Sequence, residues 1–263
     1  MKLFLSVVAL SAAIAVSPIA TSHSHAQDWA TLKVKFIYDG KPPAPAFHNG
    51  DKEPFCSVLK IPDERMVVGK DGALANVSLI MDISKSKAND IHPDLKDPPK
   101  EPVVIDNNGC MFVPHVAFVR TGQKLIIKNS DQCGHNAKLD FFSNKSTNDM
   151  IPSNNSVEYV LNKAERANAN HIECSIHPWM KADLIVRDHP YVGISDADGV
   201  LVIEKMPVGE VTFKIAHENQ DGSIEEGQLD GKQEKWRRGA LELTLKPGMN
   251  EHTITLSEDV FQK

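Results

Sequence analysis

The chain has 263 residues, with 35 acids against 29 lysines and arginines and a formal charge of −6 at neutral pH. That balance argues against nucleic acid or an anionic membrane surface as partner, and it would steer weakly toward a basic one. The length allows one large or two small domains, each with its own core.

Residues 1–26 read as a secretory signal. Lys2 supplies the charge, residues 3–16 form a mostly apolar run, and Ser24-His25-Ala26 offers a small-residue cleavage site. The apolar run is short for a bilayer span and nothing later is long enough, so the expectation is a periplasmic or secreted protein with no membrane insertion. Removing the segment costs one lysine and no acid, which takes the charge from −6 to −7.

Residues 31–40 alternate Leu32, Val34 and Phe36 with Lys33 and Lys35, the period of a half-buried strand. Lys41-Pro42-Pro43 ends it. Residues 66–72 read as a strand running into Lys70-Asp71-Gly72, and residues 76–82 as another. No segment shows a convincing amphipathic helix. Residues 92–102, with four prolines and charges of both signs, read as a surface linker or inserted loop, with His92 as a solvated side chain.

From 103 the strands continue. Residues 103–106 precede an Asn107-Asn108-Gly109 turn, and 116–119 and 125–128 flank Thr121-Gly122 as a hairpin would. His135 then falls in a loop. Phe141-Phe142 and the polar tract 143–155 read as a long loop, and Val157, Tyr159 and Leu161 as the inner face of a strand. Ile172 and Cys174 share a face at period two, so a core strand would end by pointing a thiolate inward. Residues 182–187 make the return strand. His115 and His171 read as surface or edge histidines.

The run Cys174-Ser175-Ile176-His177-Pro178-Trp179-Met180 concentrates a thiol, an imidazole and a thioether, each three residues from the next. Methionine is a poor zinc ligand, so this set suits copper. One more imidazole would complete a two-histidine, one-cysteine plane with a weak axial methionine, and His135, 39 residues upstream, is the candidate. Four cysteines are present. With Cys174 on a metal, Cys56–Cys110 is the expected disulfide, tying the N-terminal segment to the copper domain, and Cys110–Cys133 is the rival. Cys133 itself reads as a buried bystander, with a fifth ligand or redox-sensitive thiol as the functional alternative.

Cys174-x-x-His177-Pro178-x-Met180, with His135-Asn136 upstream and the Thr121-Gly122-Gln123 turn before it, resembles the cupredoxins, the amicyanins most closely. The resemblance covers about residues 103–187. It implies a Greek-key β-sandwich and one type 1 copper ion held by His135, Cys174, His177 and Met180. It also implies a bridge from Asn136 to Ser175, with Pro178 and Trp179 shaping the ligand loop. An exported dehydrogenase and a cytochrome c are the partners it implies.

Beyond Arg187 the run 191–216, with Asp196-Ala197-Asp198-Gly199, a strand, Pro207-Val208-Gly209 and a second strand, resembles the carboxypeptidase-regulatory-like (transthyretin-like) module. Asp196 and Asp198 lack the further oxygens of a calcium loop, so a hairpin turn is expected there. Strands follow at 240–245 and 253–256, and Trp236-Arg237-Arg238 reads as packing with solvated charge.

The expected organisation is all-β. Residues 1–26 form the signal, 27–102 an N-terminal β segment able to supply strands to 188–263, 103–187 the copper domain, and 188–263 the second, carbohydrate-binding-like sandwich. Function follows as one-electron transfer. The alternative is an envelope-binding scaffold, with carbohydrate or protein as ligand and copper as a relic or a store. A copper enzyme is not expected, since His23 and His25 form the one His-x-His pair and lie in the signal.

Overall fold

The computed structural model describes residues 28–50, 53–220 and 222–261; the segment read as a signal lies outside them. Strand β1 (Trp29–Asp39) buries Ala30, Leu32, Val34, Phe36 and Tyr38 along one face. A short hairpin, β2 (Phe47–His48) with β3 (Ile61–Pro62), encloses a single helical turn, α1 (Pro54–Ser57). Residues 66–72 do not form the expected strand. Asp71 and Gly72 take left-handed φ of 55° and 77°, which ends extension, and only Val68 bridges, to Leu74. Strand β4 (Ser78–Met81) follows.

The chain then leaves for a separate sandwich and returns. One sheet of that inserted sandwich holds β11 (Ser156–Val160), β8 (Lys124–Asn129), β5 (Val103–Asn107) and β6 (Phe112–Val113). The other holds β10 (Thr147–Ile151), β9 (His135–Leu139), β12 (Asn170–Glu173), β13 (Lys181–Arg187) and β7 (Val116–Arg120). Ile105, Phe112, Leu125, Ile127, Leu139, Ile172 and Leu184 fill the space between them. Cys56 and Ile61 join this core, and Cys56 is disulfide-bonded to Cys110, so residues around α1 pack with the insertion although they precede β4. The linker is pinned as well: Arg120 donates to Leu95 O and Lys96 O, and Gln123 Nε2 to Glu101 O.

The second sandwich draws on both ends of the chain. β1 lies between β15 (Val200–Pro207) and β20 (Gly248–Ser257), with β17 (Glu226–Leu229) and β18 (Lys232–Lys235) beyond. Facing them are β14 (Val192–Ile194), β4, β16 (Gly209–Ala216) and β19 (Leu241–Leu245). β1 pairs in parallel with β20 from Ala30 to Asp39, so its place in the sheet is fixed by the last strand of the chain. Asp196 closes the turn before β15, its Oδ1 accepting the N–H groups of Asp198 and Val200 at 2.9 Å each. At that turn Gly199 has φ +73°, and a Cβ would stand 2.5 Å from Phe36 O, so only glycine fits. Trp236 is buried and donates to Glu234, while Arg237 and Arg238 are exposed.

Where the two sandwiches meet, Ile80 of β4, Val116 of β7 and Ile185 of β13 form a small apolar cluster. Both β4 and β13 are therefore covered on two faces, which is why each carries three consecutive apolar residues, Leu79-Ile80-Met81 and Leu184-Ile185-Val186.

Candidate metal centre

His135 opens β9 and is a strand residue, not the loop residue expected. Cys174 follows β12 directly, and Met180 immediately precedes β13. The loop between is closed by its own backbone: Cys174 N donates to Met180 O at 3.1 Å, and Met180 N to His177 O at 2.8 Å. β9 and β12 are paired neighbours, so the sheet brings His135 beside the loop.

Three donors converge. His135 Nδ1 lies 2.9 Å from His177 Nδ1, and Cys174 Sγ 3.6 Å from His177 Nδ1. His135, Cys174 and His177 are together placed to hold one ion. Their exposures are 0%, 2% and 2%, and that of Met180 is 1%. Met180 shares the same buried cluster as Cys174. Ser175, Ile176 and Pro178 form an exposed rim above them, with Trp179 half-buried and its Nε1 donating to Cys110 O. Asn136 ties the two ligand-bearing segments together. Its Oδ1 accepts from Ser175 N at 2.8 Å and from Cys174 Sγ at 3.4 Å, and its Nδ2 reaches Ser175 Oγ and Asn148 Oδ1.

Asp131, which nothing in the sequence singles out, orients His135. Its Oδ2 sits 2.9 Å from His135 Nε2, while Gly109 N and Cys110 N donate to its two oxygens. A carboxylate on Nε2 fixes the proton there and turns the Nδ1 lone pair toward Cys174 and His177, as second partners of ligating histidines do. Burial alone would depress the His135 pKa, but Asp131 and Cys174 outweigh it and hold it up at about 9. Burial alone would raise the Cys174 thiol, but His135 and nearby backbone N–H groups bring it below the ordinary range. A thiol whose pKa is lowered and an imidazole whose pKa is raised by the neighbouring carboxylate mark a place where positive charge is favoured. Two imidazole nitrogens, a thiolate and a thioether form a soft-to-intermediate donor set that fits copper and fits neither calcium nor magnesium.

The His177 ring is enclosed: its Nε2 is buried without a hydrogen-bond partner, its ring lies 5.1 Å from that of Trp179, and Cys56 Sγ approaches within 4.8 Å. Burial holds its pKa below the usual value. His115, expected at a surface or an edge, is not solvated. It is buried at the junction, with Nε2 2.6 Å from Glu218 and Nδ1 3.7 Å from Glu64. His171 is exposed and pairs with Asp183. The tract 143–155 is not wholly loop, since β10 lies within it, and Cys133 is a free buried thiol.

No family model matches the chain, and no curated protein matches it. Solved structures do. A copper-containing nitrite reductase from Thermus scotoductus SA-01 is 21% identical over 37% of this chain at a TM-score of 0.31, and the chain spans 27% of that protein's length. A reduced amicyanin variant is 15% identical over 35% of this chain and 92% of its own, at 0.29. A purple cupredoxin from Nitrosopumilus maritimus is 20% identical over 32% and 98%, at 0.27. Likenesses this low specify neither activity nor partner. The resemblance drawn for residues 191–216 has no support among them.

Proposed function

We propose that the protein is an exported one-electron carrier holding a single type 1 copper ion at His135, Cys174, His177 and Met180. The observation that carries this reading is the convergence of His135 Nδ1, His177 Nδ1 and Cys174 Sγ at a point closed from solvent. Copper bound there would supply a one-electron couple. The chain's own residues do the rest. Asp131 holds the His135 tautomer, Asn136 locks the ligand loop to β9, and burial of all four donors excludes water and leaves no open face for a substrate. That closure favours a carrier over an enzyme. The acidic surface favours a basic redox partner, and the cupredoxin resemblance suggests an exported dehydrogenase and a cytochrome c. Exposed Ile176 and Pro178, beside half-buried Trp179, form the apolar ground on which such a partner would dock briefly.

A visible spectrum of the chain with added Cu(II) tests the reading. The expected result is an intense blue thiolate-to-copper band at one copper per chain, abolished by Cys174→Ser because a hydroxyl is neither soft nor ionised at neutral pH. A colourless wild-type protein under copper would overturn it in favour of a scaffold.

A further inference from the structure

Behind His135, on the side away from Cys174, lies a second group of metal-ligating atoms. The free thiol of Cys133 is 3.4 Å from His135 Nε2 and 4.0 Å from Cys56 Sγ. Asp131 Oδ2 is 2.9 Å from the same Nε2. Two sets of ligand atoms gather within 4.8 Å, one from Cys110, Asp131, Cys133 and His135 and the other from Cys56, Cys133 and His177. Every member is buried, and Cys133 belongs to both sets. His135 thus turns its two ring nitrogens to two different clusters. As long as Cys56 and Cys110 are bridged, neither has a thiolate to offer.

We propose that reduction of the Cys56–Cys110 bridge opens a second metal site, centred on Cys133 and completed by the freed Cys110 and Cys56 thiols, that takes a second copper as Cu(I). Three sulfurs around a shared centre are a soft set of the kind that takes Cu(I) or zinc. Zinc would want a fourth ligand to complete a tetrahedron, and both candidates, Asp131 Oδ2 and His135 Nε2, are already bonded to each other at 2.9 Å, whereas Cu(I) tolerates three. The chemistry balances with a phosphine as reductant. Phosphine, disulfide and water give phosphine oxide and two thiols, and each thiol that binds copper releases its proton to solvent. Burial raises the Cys133 thiol to about 11, but coordination removes that proton outright.

The site does not depend on copper at Cys174, and the variants separate the two. The full chain is treated anaerobically with a water-soluble phosphine, desalted, and titrated with Cu(I) against a coloured Cu(I) chelator. Bridged wild type should hold one Cu(I) and reduced wild type two. Reduced Cys133→Ser should return to one. Cys174→Ser, which removes the first copper, should hold none while bridged and one when reduced. Cys56→Ser frees Cys110 without any phosphine but leaves two of the three sulfurs, so it should take the extra copper without reduction and release it to the chelator more readily than reduced wild type. No gain on reduction, an undiminished gain in Cys133→Ser, or a second site filled by Zn(II) in preference to Cu(I) would each overturn the proposal. So would loss of the near-ultraviolet circular dichroism on reduction before copper is added, because the sulfurs meet only in the folded chain.

Discussion

Asp131 decides which way His135 faces, and substituting it separates charge from shape. Asn at 131 keeps an oxygen near Nε2 and the backbone donors but removes the negative charge. Metal affinity should fall about 10–100-fold, the usual effect of losing the partner of a ligating histidine, with the blue band retained. Competition against a copper chelator measures it, and unchanged affinity would reduce Asp131 to a loop brace. Asp131→Ala goes further, since the buried Cys110 N–H then has no acceptor, at about 1–3 kcal/mol of stability. Why Asp131 is hidden in the sequence while Cys174 is plain there is a matter of spacing. Cys174, His177 and Met180 lie in one seven-residue loop, and three unlike soft donors crowded into so short a run point to a metal. An aspartate four residues before a histidine carries no such signal. The burial of His177 is equally invisible, because Cys56, which approaches it, lies more than a hundred residues away in sequence.

At the scale of elements, alternation reveals strands with one wet face, and β1 is read correctly for that reason. β10 has the opposite character. It is an edge strand whose residues Thr147, Asn148, Asp149 and Met150 are exposed or half-buried and only Ile151 is buried, so no apolar period marks it. β4 and β13 each carry three consecutive buried apolar residues, because the other sandwich covers their outer faces. Periodicity finds such strands but does not say what covers them. Ile185 tests the cover. It is fully buried in the junction cluster, away from the ligand core. Ile185→Ala should cost about 2–5 kcal/mol, read as a lower urea midpoint, with the blue band unchanged. A loss of the band at full stability would mean that the junction shapes the 174–180 loop directly.

For the whole molecule, the return of the chain to complete a sandwich begun by β1 and β4 places several histidines in the interior, and these set its response to acid. His217 and His189 are each 5% exposed, and burial depresses the pKa of each to about 4. In each, Nδ1 accepts a backbone N–H, from Asn219 and Tyr191 respectively, a bond that suits the neutral ring. An unfolded histidine takes its proton near pH 6.5. Between about 6.5 and 4 the unfolded chain therefore binds protons at these two positions that the folded chain refuses, and stability must fall as the pH falls. His115 and His171 act elsewhere. Burial opposes the charge on His115, but Glu218 and Glu64 outweigh it, and Asp183 raises His171. What they contribute is complete below about pH 6.5 and is lost only as pH rises through their raised values. Glu218, held below the usual carboxylate range although burial pushes the other way, loses its contribution only at still lower pH. The interval from pH 6.5 to 4 thus belongs to His217 and His189, joined in the metal-free chain by His177, which burial also depresses, with a limit of about 1.4 kcal/mol per pH unit for each. Urea midpoints taken from pH 7 down to pH 4.5 should decline steadily. His217→Gln, which keeps an acceptor but cannot titrate, should make that slope clearly shallower. If His217→Gln and His189→Gln together leave the acid decline as steep as in wild type, its source lies in other groups.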